Sequence, residues 1–146
     1  MKYGMKIWLA ATLCACSLTA AAQQLSDTNL YFTVAAVAAG REVKPDGPEV
    51  KQAAKYLRGL AVAYNVTEEN AAQTASAGLN QLRPRVNQAN LFEMLDAAYR
   101  IAPTEHTHDR KALVHALTMY IAARTGADPS HEAAIKTVMD LNKGVK

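Results

Sequence analysis

Cysteine and tryptophan are almost absent from this chain of 146 residues. Its two cysteines, Cys14 and Cys16, and its only tryptophan, Trp8, all lie within the first 16 residues. If that region is removed, no thiol remains for disulfides, for nucleophilic catalysis or for thiolate metal sites. The sequence therefore excludes these uses of sulfur from a product that begins after residue 16.

The first 22 residues have the composition of an export signal. Two lysines precede an apolar stretch over residues 7–18, and Ala20 and Ala22 place small side chains where a signal peptidase cuts. A membrane-spanning helix needs about 20 consecutive apolar residues, and this stretch is shorter and contains polar side chains. We therefore predict a cleaved signal peptide over residues 1–22, one domain over residues 23–146 and a soluble periplasmic protein.

Cys16 supports an alternative fate for this segment. The sequence Leu13-Cys14-Ala15-Cys16 has the leucine and the small residue that precede the lipidated cysteine of bacterial lipoproteins, although Cys14 is atypical there. In that case Cys16 would become the lipidated first residue and would tether the protein to a membrane. Without lipidation we expect no membrane contact.

An excess of charge of one sign is also missing after the signal is removed. Of the 16 basic residues in the chain, 14 follow the signal, and they face 13 acidic residues. Nucleic-acid-binding domains usually carry a clustered basic excess. The charge balance therefore argues against a nucleic-acid partner and favours another protein.

Apolar residues in the rest of the chain recur at helical spacing, without the alternation typical of strands. Helix starts are marked at Ser26, Pro48, Thr67, Asn90, Asp109 and Asp128–Pro129. The pattern predicts an all-α fold, a single compact bundle of about six short helices arranged as helical hairpins. The third helix, which ends at Leu82, has a thin, alanine-rich apolar face and is expected at the edge of the bundle.

The four histidines are the least random feature of this region, since all lie within 26 residues: His106, His108, His115 and His131. Imidazole and carboxylate groups bind zinc and copper. His106 and His108, with Glu105 or Asp109, are therefore candidate metal ligands in a loop. At about 1.5 Å per helical residue, the other two histidines lie roughly 10 and 25 Å from His108. A solvated loop followed by a helix cap explains the same residues.

Catalytic motifs are missing from the sequence. It contains no Gly-x-Ser-x-Gly turn, no His-Glu-x-x-His helix and no glycine-rich phosphate loop. We interpret two carboxylate pairs, Glu68 with Glu69 and Glu93 with Asp96, as solvated helix faces. We therefore predict a protein that is not an enzyme and that uses no cofactor.

A small exported helical protein without catalytic motifs is suited to binding another macromolecule. We predict an inhibitor or immunity protein that neutralises a cell-wall-degrading enzyme or a toxin. Its candidate partner-binding residues are Asp46, Glu49, Glu105, His106, His108 and Asp109. The alternatives are a periplasmic zinc- or copper-binding protein that uses His106 and His108, and a structural or stress protein of the cell envelope.

Aromatic side chains provide a second set of candidate contacts. Tyr31, Tyr56 and Tyr99 lie near the edges of their apolar stripes, where an amphipathic ring can face a partner. We expect these three tyrosines to be exposed. The alanine-rich helices are also compatible with a homodimer.

Overall fold

The computed structural model describes residues 29–102, 109–126 and 130–144 of the chain, and this part is built from helices without strands. Helix α1 covers residues 29–39 of it, and five helices follow: α2 (Pro48–Tyr64), α3 (Glu68–Leu82), α4 (Leu91–Ile101), α5 (Arg110–Arg124) and α6 (His131–Gly144). The predicted all-α bundle is therefore confirmed. The predicted signal peptide with Cys16, and the loop residues Glu105, His106 and His108, lie outside the described residues.

Local sequence explains where the helices begin. The side chains of Thr67, Asn90 and Asp109 accept hydrogen bonds from backbone N–H groups three residues later, at 3.1, 3.0 and 3.0 Å. Pro48 occupies the first turn of α2, where its missing N–H has no helical partner to lose. Before α6 the capping side chain is that of Ser130, whose hydroxyl accepts from the Ala133 N–H at 3.2 Å. Such a cap stabilises a helix by about 1 kcal/mol.

Two pairs of neighbouring helices form hairpins. Residues 65–67 join α2 to α3, and the two helices pack against each other. His131 at the start of α6 contacts Tyr120 near the end of α5, so these helices are antiparallel. The predicted hairpin arrangement is confirmed for both pairs.

Helix α4 occupies the centre of the described bundle, packed against α2, α3, α5 and α6. Its buried residues are Leu91, Met94, Leu95, Ala97, Ala98 and Ile101. The hydroxyl of Tyr64 on α2 donates to the Ala98 carbonyl at 2.9 Å, and burial raises the pKa of this phenol. Because α4 has helices on several sides, its few polar residues meet other helices as well as solvent.

Helix α3 packs against more helices than its predicted edge position implies, although Gln73, Ala77 and Asn80 leave one of its faces in solvent. It packs against α2, α4 and α5. A Cβ atom added at Gly78 would lie only 2.7 Å from the Met94 Cε atom, which shows how closely α3 approaches α4. The small side chains that make its apolar face look thin are the ones that allow this close packing.

Candidate functional site

The acidic residues proposed as partner contacts differ in whether their carboxylates already have partners within the protein. Asp46 is exposed in the turn before α2. Glu49 forms an ion pair with Arg41. The hydrogen bond from its own backbone N–H, together with this guanidinium, lowers the pKa of the Glu49 carboxyl. The Asp109 carboxylate caps α5. Only Asp46, of these three, presents a carboxylate with no described partner.

A metal role for His106 and His108 stays a prediction, because both lie outside the described residues. Their neighbour His115 is exposed on α5. Across residues 29–102, 109–126 and 130–144, no group of three His, Cys, Asp or Glu side chains converges as metal ligands do.

Asp96 and His131 form the polar centre of the described structure. The Asp96 carboxylate contacts the His131 Nε2 atom at 2.9 Å and accepts a hydrogen bond from the Tyr56 hydroxyl at 2.9 Å. Its side chain is only 23% exposed. The interpretation of Asp96 as part of a solvated helix face was therefore wrong, because α2 and α6 both supply partners to it.

Both ring nitrogens of His131 are occupied. Its Nδ1 atom lies 2.7 Å from the hydroxyl of Tyr120, a residue with no exposed surface. Burial raises the pKa of Tyr120 to about 12, so this hydroxyl keeps its proton at neutral pH. In a neutral imidazole the Tyr120 hydroxyl donates to Nδ1 and the Nε2–H donates to Asp96, which assigns the tautomer. The chain of contacts joins α4, α6 and α5.

Asp96, His131 and Tyr120 are residue types that occur together in nucleophilic active sites, but a substrate cannot reach the Tyr120 hydroxyl. A nucleophile must reach the substrate, whereas the Tyr120 hydroxyl is buried and its proton is directed to His131. The chemistry that the geometry supports is structural. The three side chains satisfy one another and connect three helices.

The charge of Asp96 is retained in the folded protein. Burial raises the pKa of its carboxyl, but hydrogen bonds with His131, Tyr56 and Arg100 outweigh that effect and lower it. Arg100 lies 3.4 Å from Asp96 and binds Glu132 through two hydrogen bonds of 2.8 and 2.9 Å. These contacts, the one with Glu132 foremost, raise the pKa of Arg100. A charged network therefore follows the junction of α4 with α6.

Glu93 belongs to a second polar contact on α4. It lies 3.4 Å from the guanidinium of Arg124, whose side chain is only 10% exposed on α5. The interpretation of Glu93 as a solvated residue was wrong for the same reason as for Asp96. Both carboxylates point toward neighbouring helices.

An aromatic cluster adjoins the Asp96 network through Tyr56 and lies between α2 and α4. The Tyr56 ring packs at 6.0 Å from the Tyr99 ring, edge to face, and at 6.3 Å from the Phe92 ring. The Tyr99 ring lies over Gly59 of α2, where an added Cβ atom would be 2.9 Å from Tyr99 Cδ2. We call the face formed by Tyr56, Phe92, Tyr99 and Arg100 the α2–α4 surface.

The three tyrosines expected at the surface differ in exposure. Tyr99 is 41% exposed, as predicted, and Tyr56 is half-buried. Tyr31 is buried, contrary to the prediction, because Arg58 stacks over its ring at 5.2 Å and donates to its hydroxyl at 3.2 Å.

Arg100 also borders an open groove between α4 and α6. The groove has a volume of about 440 Å³, with Ile135 and Met139 among its apolar lining residues and Lys136 among its charged ones. Arg100 therefore lies between the aromatic cluster and this groove, held by Glu132.

Comparisons of the chain with protein-family models, with curated proteins and with solved structures found no match. In the described ranges, no helix has both the length and the apolar character needed to cross a bilayer. The surface geometry is therefore the basis for the function proposed below.

Proposed function

We propose that this protein is an exported, non-enzymatic binding protein that neutralises a cell-wall-degrading enzyme or toxin by docking through the α2–α4 surface. The observation that carries the proposal is the fixed geometry of Tyr56, Tyr99 and Arg100 on a partly exposed face. The export signal predicted over residues 1–22 supports a periplasmic location.

The composition of this surface is typical of protein interfaces. Tyrosine and arginine are enriched among residues that contribute most to binding, because each combines a large contact area with polar groups. Tyr99 is 41% exposed and Arg100 is also exposed. A partner that covered them would therefore bury both aromatic surface and a charge already neutralised by Glu132.

The side chains of the surface are already held in place. Tyr56 is held by its hydrogen bond to Asp96, Tyr99 by packing over Gly59, and Arg100 by two hydrogen bonds to Glu132. Ordering a flexible side chain at an interface costs about 0.5–1.5 kcal/mol. A surface whose side chains are fixed before binding avoids most of that loss.

The test is capture from a periplasmic extract of the source cells, with the purified protein immobilised. Three proteins are compared: the wild type, Tyr99→Ala in the surface, and Val114→Ala as a matched control. Val114 is 46% exposed on α5, so the control also removes an exposed apolar side chain. Each captured protein is identified, quantified and assayed on cell-wall material with and without the wild-type protein.

The proposal predicts a cell-wall hydrolase or toxin in stoichiometric amount on the wild type and on Val114→Ala. Tyr99→Ala should retain at least about fivefold less, the loss expected when an interface residue worth more than about 1 kcal/mol is removed. The captured enzyme should lose activity when the wild-type protein is added. Recovery of no stoichiometric partner, or equal recovery on all three proteins, would contradict the proposal.

A further inference from the structure

The solvent face of α2 carries a stripe of basic side chains. Lys51, Lys55, Arg58 and Val62 follow one another at intervals of four, three and four residues, so they lie on one side of the helix. All four are exposed, and Val62 has 86% of its surface accessible. We call Lys51, Lys55 and Arg58 the basic stripe, and the apolar Val62 lies one turn beyond it.

The positive charges of Lys51 and Lys55 are not balanced within α2. The only acidic residue of this helix is Glu49, which pairs with Arg41. Among the described residues, no carboxylate forms an ion pair with Lys51 or Lys55. Arg58 lies on the same face but is engaged by α1 and α3, because it stacks over the Tyr31 ring and donates to the hydroxyl that Glu68 also contacts.

The basic stripe continues into the α2–α4 surface. Gly59, which supports the Tyr99 ring, directly follows Arg58 and lies one turn after Lys55. Residues one turn apart on a helix are neighbours on its surface. Lys55 and Val62 therefore lie one turn before and one turn after Gly59, beside the Tyr99 ring.

We propose that this face of α2 and the Tyr99 ring bind an acidic protein surface, with partner carboxylates against the basic stripe and apolar contacts at Tyr99 and Val62. The identity of the partner rests on the proposed function. Within it, a glycan-cleaving enzyme fits best, because such enzymes carry a pair of Asp or Glu side chains in the substrate cleft. Complementary charge would speed association and select against basic partners.

An anionic membrane is the other acidic surface in the envelope, and the stripe suits it less well. Basic segments that bind anionic lipid usually contain four to eight Lys or Arg residues, whereas the stripe has three. Its exposed apolar side chains are few, and the Tyr99 ring is packed on α2. These features favour a shaped protein surface.

The test uses the protein as isolated from the periplasm, labelled with ¹⁵N. Backbone amide signals are followed during titration with a glutamate-rich peptide that contains one tyrosine. A separate titration uses phospholipid vesicles containing an anionic lipid. The variant is Lys51→Glu/Lys55→Glu, and the matched control is Arg110→Glu/Lys111→Glu, which reverses two exposed charges on α5. Thermal unfolding of each variant verifies that it is folded.

The inference predicts peptide-induced shifts in α2 and around Tyr99, and an affinity at least about tenfold weaker in the α2 variant. The α5 variant should change less than about twofold. Equal losses in both variants, shifts confined to other helices, or binding to vesicles but not to peptide would overturn it.

If capture yields no hydrolase while the peptide still binds α2, the proposed function fails alone. If Tyr99→Ala abolishes capture and the charge reversal does not, the acidic-partner inference fails alone.

Discussion

At the scale of single residues, His131 is the side chain that connects α4, α5 and α6. It contacts Asp96 at 2.9 Å and Tyr120 at 2.7 Å. Removing the imidazole takes its hydrogen-bond partner from the fully buried Tyr120 hydroxyl and takes one partner from Asp96, which keeps Tyr56 and Arg100. A buried polar group that loses its partner is destabilising by about 1–3 kcal/mol.

We therefore expect His131→Ala to lower the free energy of unfolding by about 2 kcal/mol, measured by urea denaturation at neutral pH. His115→Ala is the matched control, because His115 is exposed on α5. Exposed substitutions of this kind usually stay within about 0.5 kcal/mol. Equal effects of the two substitutions would show that the Asp96–His131–Tyr120 contacts contribute nothing to stability.

Asp96 makes the stability depend on pH. Its pKa is lowered in the folded protein, so the unfolded chain takes up this proton first as the pH falls. The stabilisation by ionised Asp96 is complete above the ordinary Asp pKa of about 4 and is lost as the pH falls through the folded-state value. The advantage of the wild type over Asp96→Asn in unfolding free energy should therefore shrink as the pH is lowered from about 6 to about 3.

Urea denaturation at a series of pH values measures this difference. Asp140→Asn is the comparison, because Asp140 also has a lowered pKa but lies exposed on α6 beside Lys136. Solvent screening makes an exposed pair contribute little. The difference in unfolding free energy between the wild type and Asp140→Asn should therefore hardly vary with pH. A constant advantage of the wild type over Asp96→Asn across this range would contradict the assigned role of Asp96.

Residue-level features differ in how well the sequence predicts them. Thr67, Asn90 and Asp109 cap the helices that they were expected to begin, because a cap involves only residues three positions apart. The start of the sixth helix was expected at Asp128–Pro129, close to His131, but the partner of His131, Asp96, is 35 residues away. That contact depends on how α6 docks against α4, and the sequence contains no local signal for it.

At the scale of helices, the contact between α2 and α4 determines the shape of the α2–α4 surface. Gly59 leaves room for the Tyr99 ring. The edge position of Tyr99 on its stripe was visible in the sequence, whereas the glycine beneath its ring was not, because the two residues belong to different helices. Helix α3 shows the same limit, since its small residues indicate close packing only when the facing helix is known.

Gly59→Ala tests this contact. The new methyl group would occupy the place of the Tyr99 ring, which must rotate toward solvent. Alanine favours a helix over glycine by about 1 kcal/mol, and this gain offsets the lost packing. We expect a change in unfolding free energy below about 1 kcal/mol, together with shifted Tyr99 ring signals in NMR spectra. Gly144→Ala, at a glycine with open space around it, should leave those signals unchanged; unchanged signals in Gly59→Ala would contradict the packing.

At the scale of the whole molecule, the described charges are unevenly arranged. The carboxylates Asp96, Glu93 and Glu132 on α4 and α6 are paired with arginines of the same protein. The lysines of α2 are not paired among the described residues. A nearly balanced composition therefore does not reveal that Lys51 and Lys55 share one face of α2. Composition argued against a nucleic-acid partner, but it averages over the faces of a bundle and cannot locate charges on one of them.

The same arrangement changes which part of the protein is expected to meet a partner. The sequence favoured acidic contacts at Asp46, Glu49 and Asp109, but the latter two carboxylates serve the fold. Tyr99 and Arg100, which are both exposed and held in place, lie on α4 beside α2. We therefore expect α2 and α4 to form the docking face.

Amide hydrogen exchange of the protein, alone and bound to the hydrolase recovered by capture, tests that claim most directly. Docking through the α2–α4 surface predicts slower exchange on binding across residues 51–62 and 96–100, with α5 residues 110–118 unchanged. Slower exchange confined to α5 and α6, or to the turn at Asp46, would contradict it.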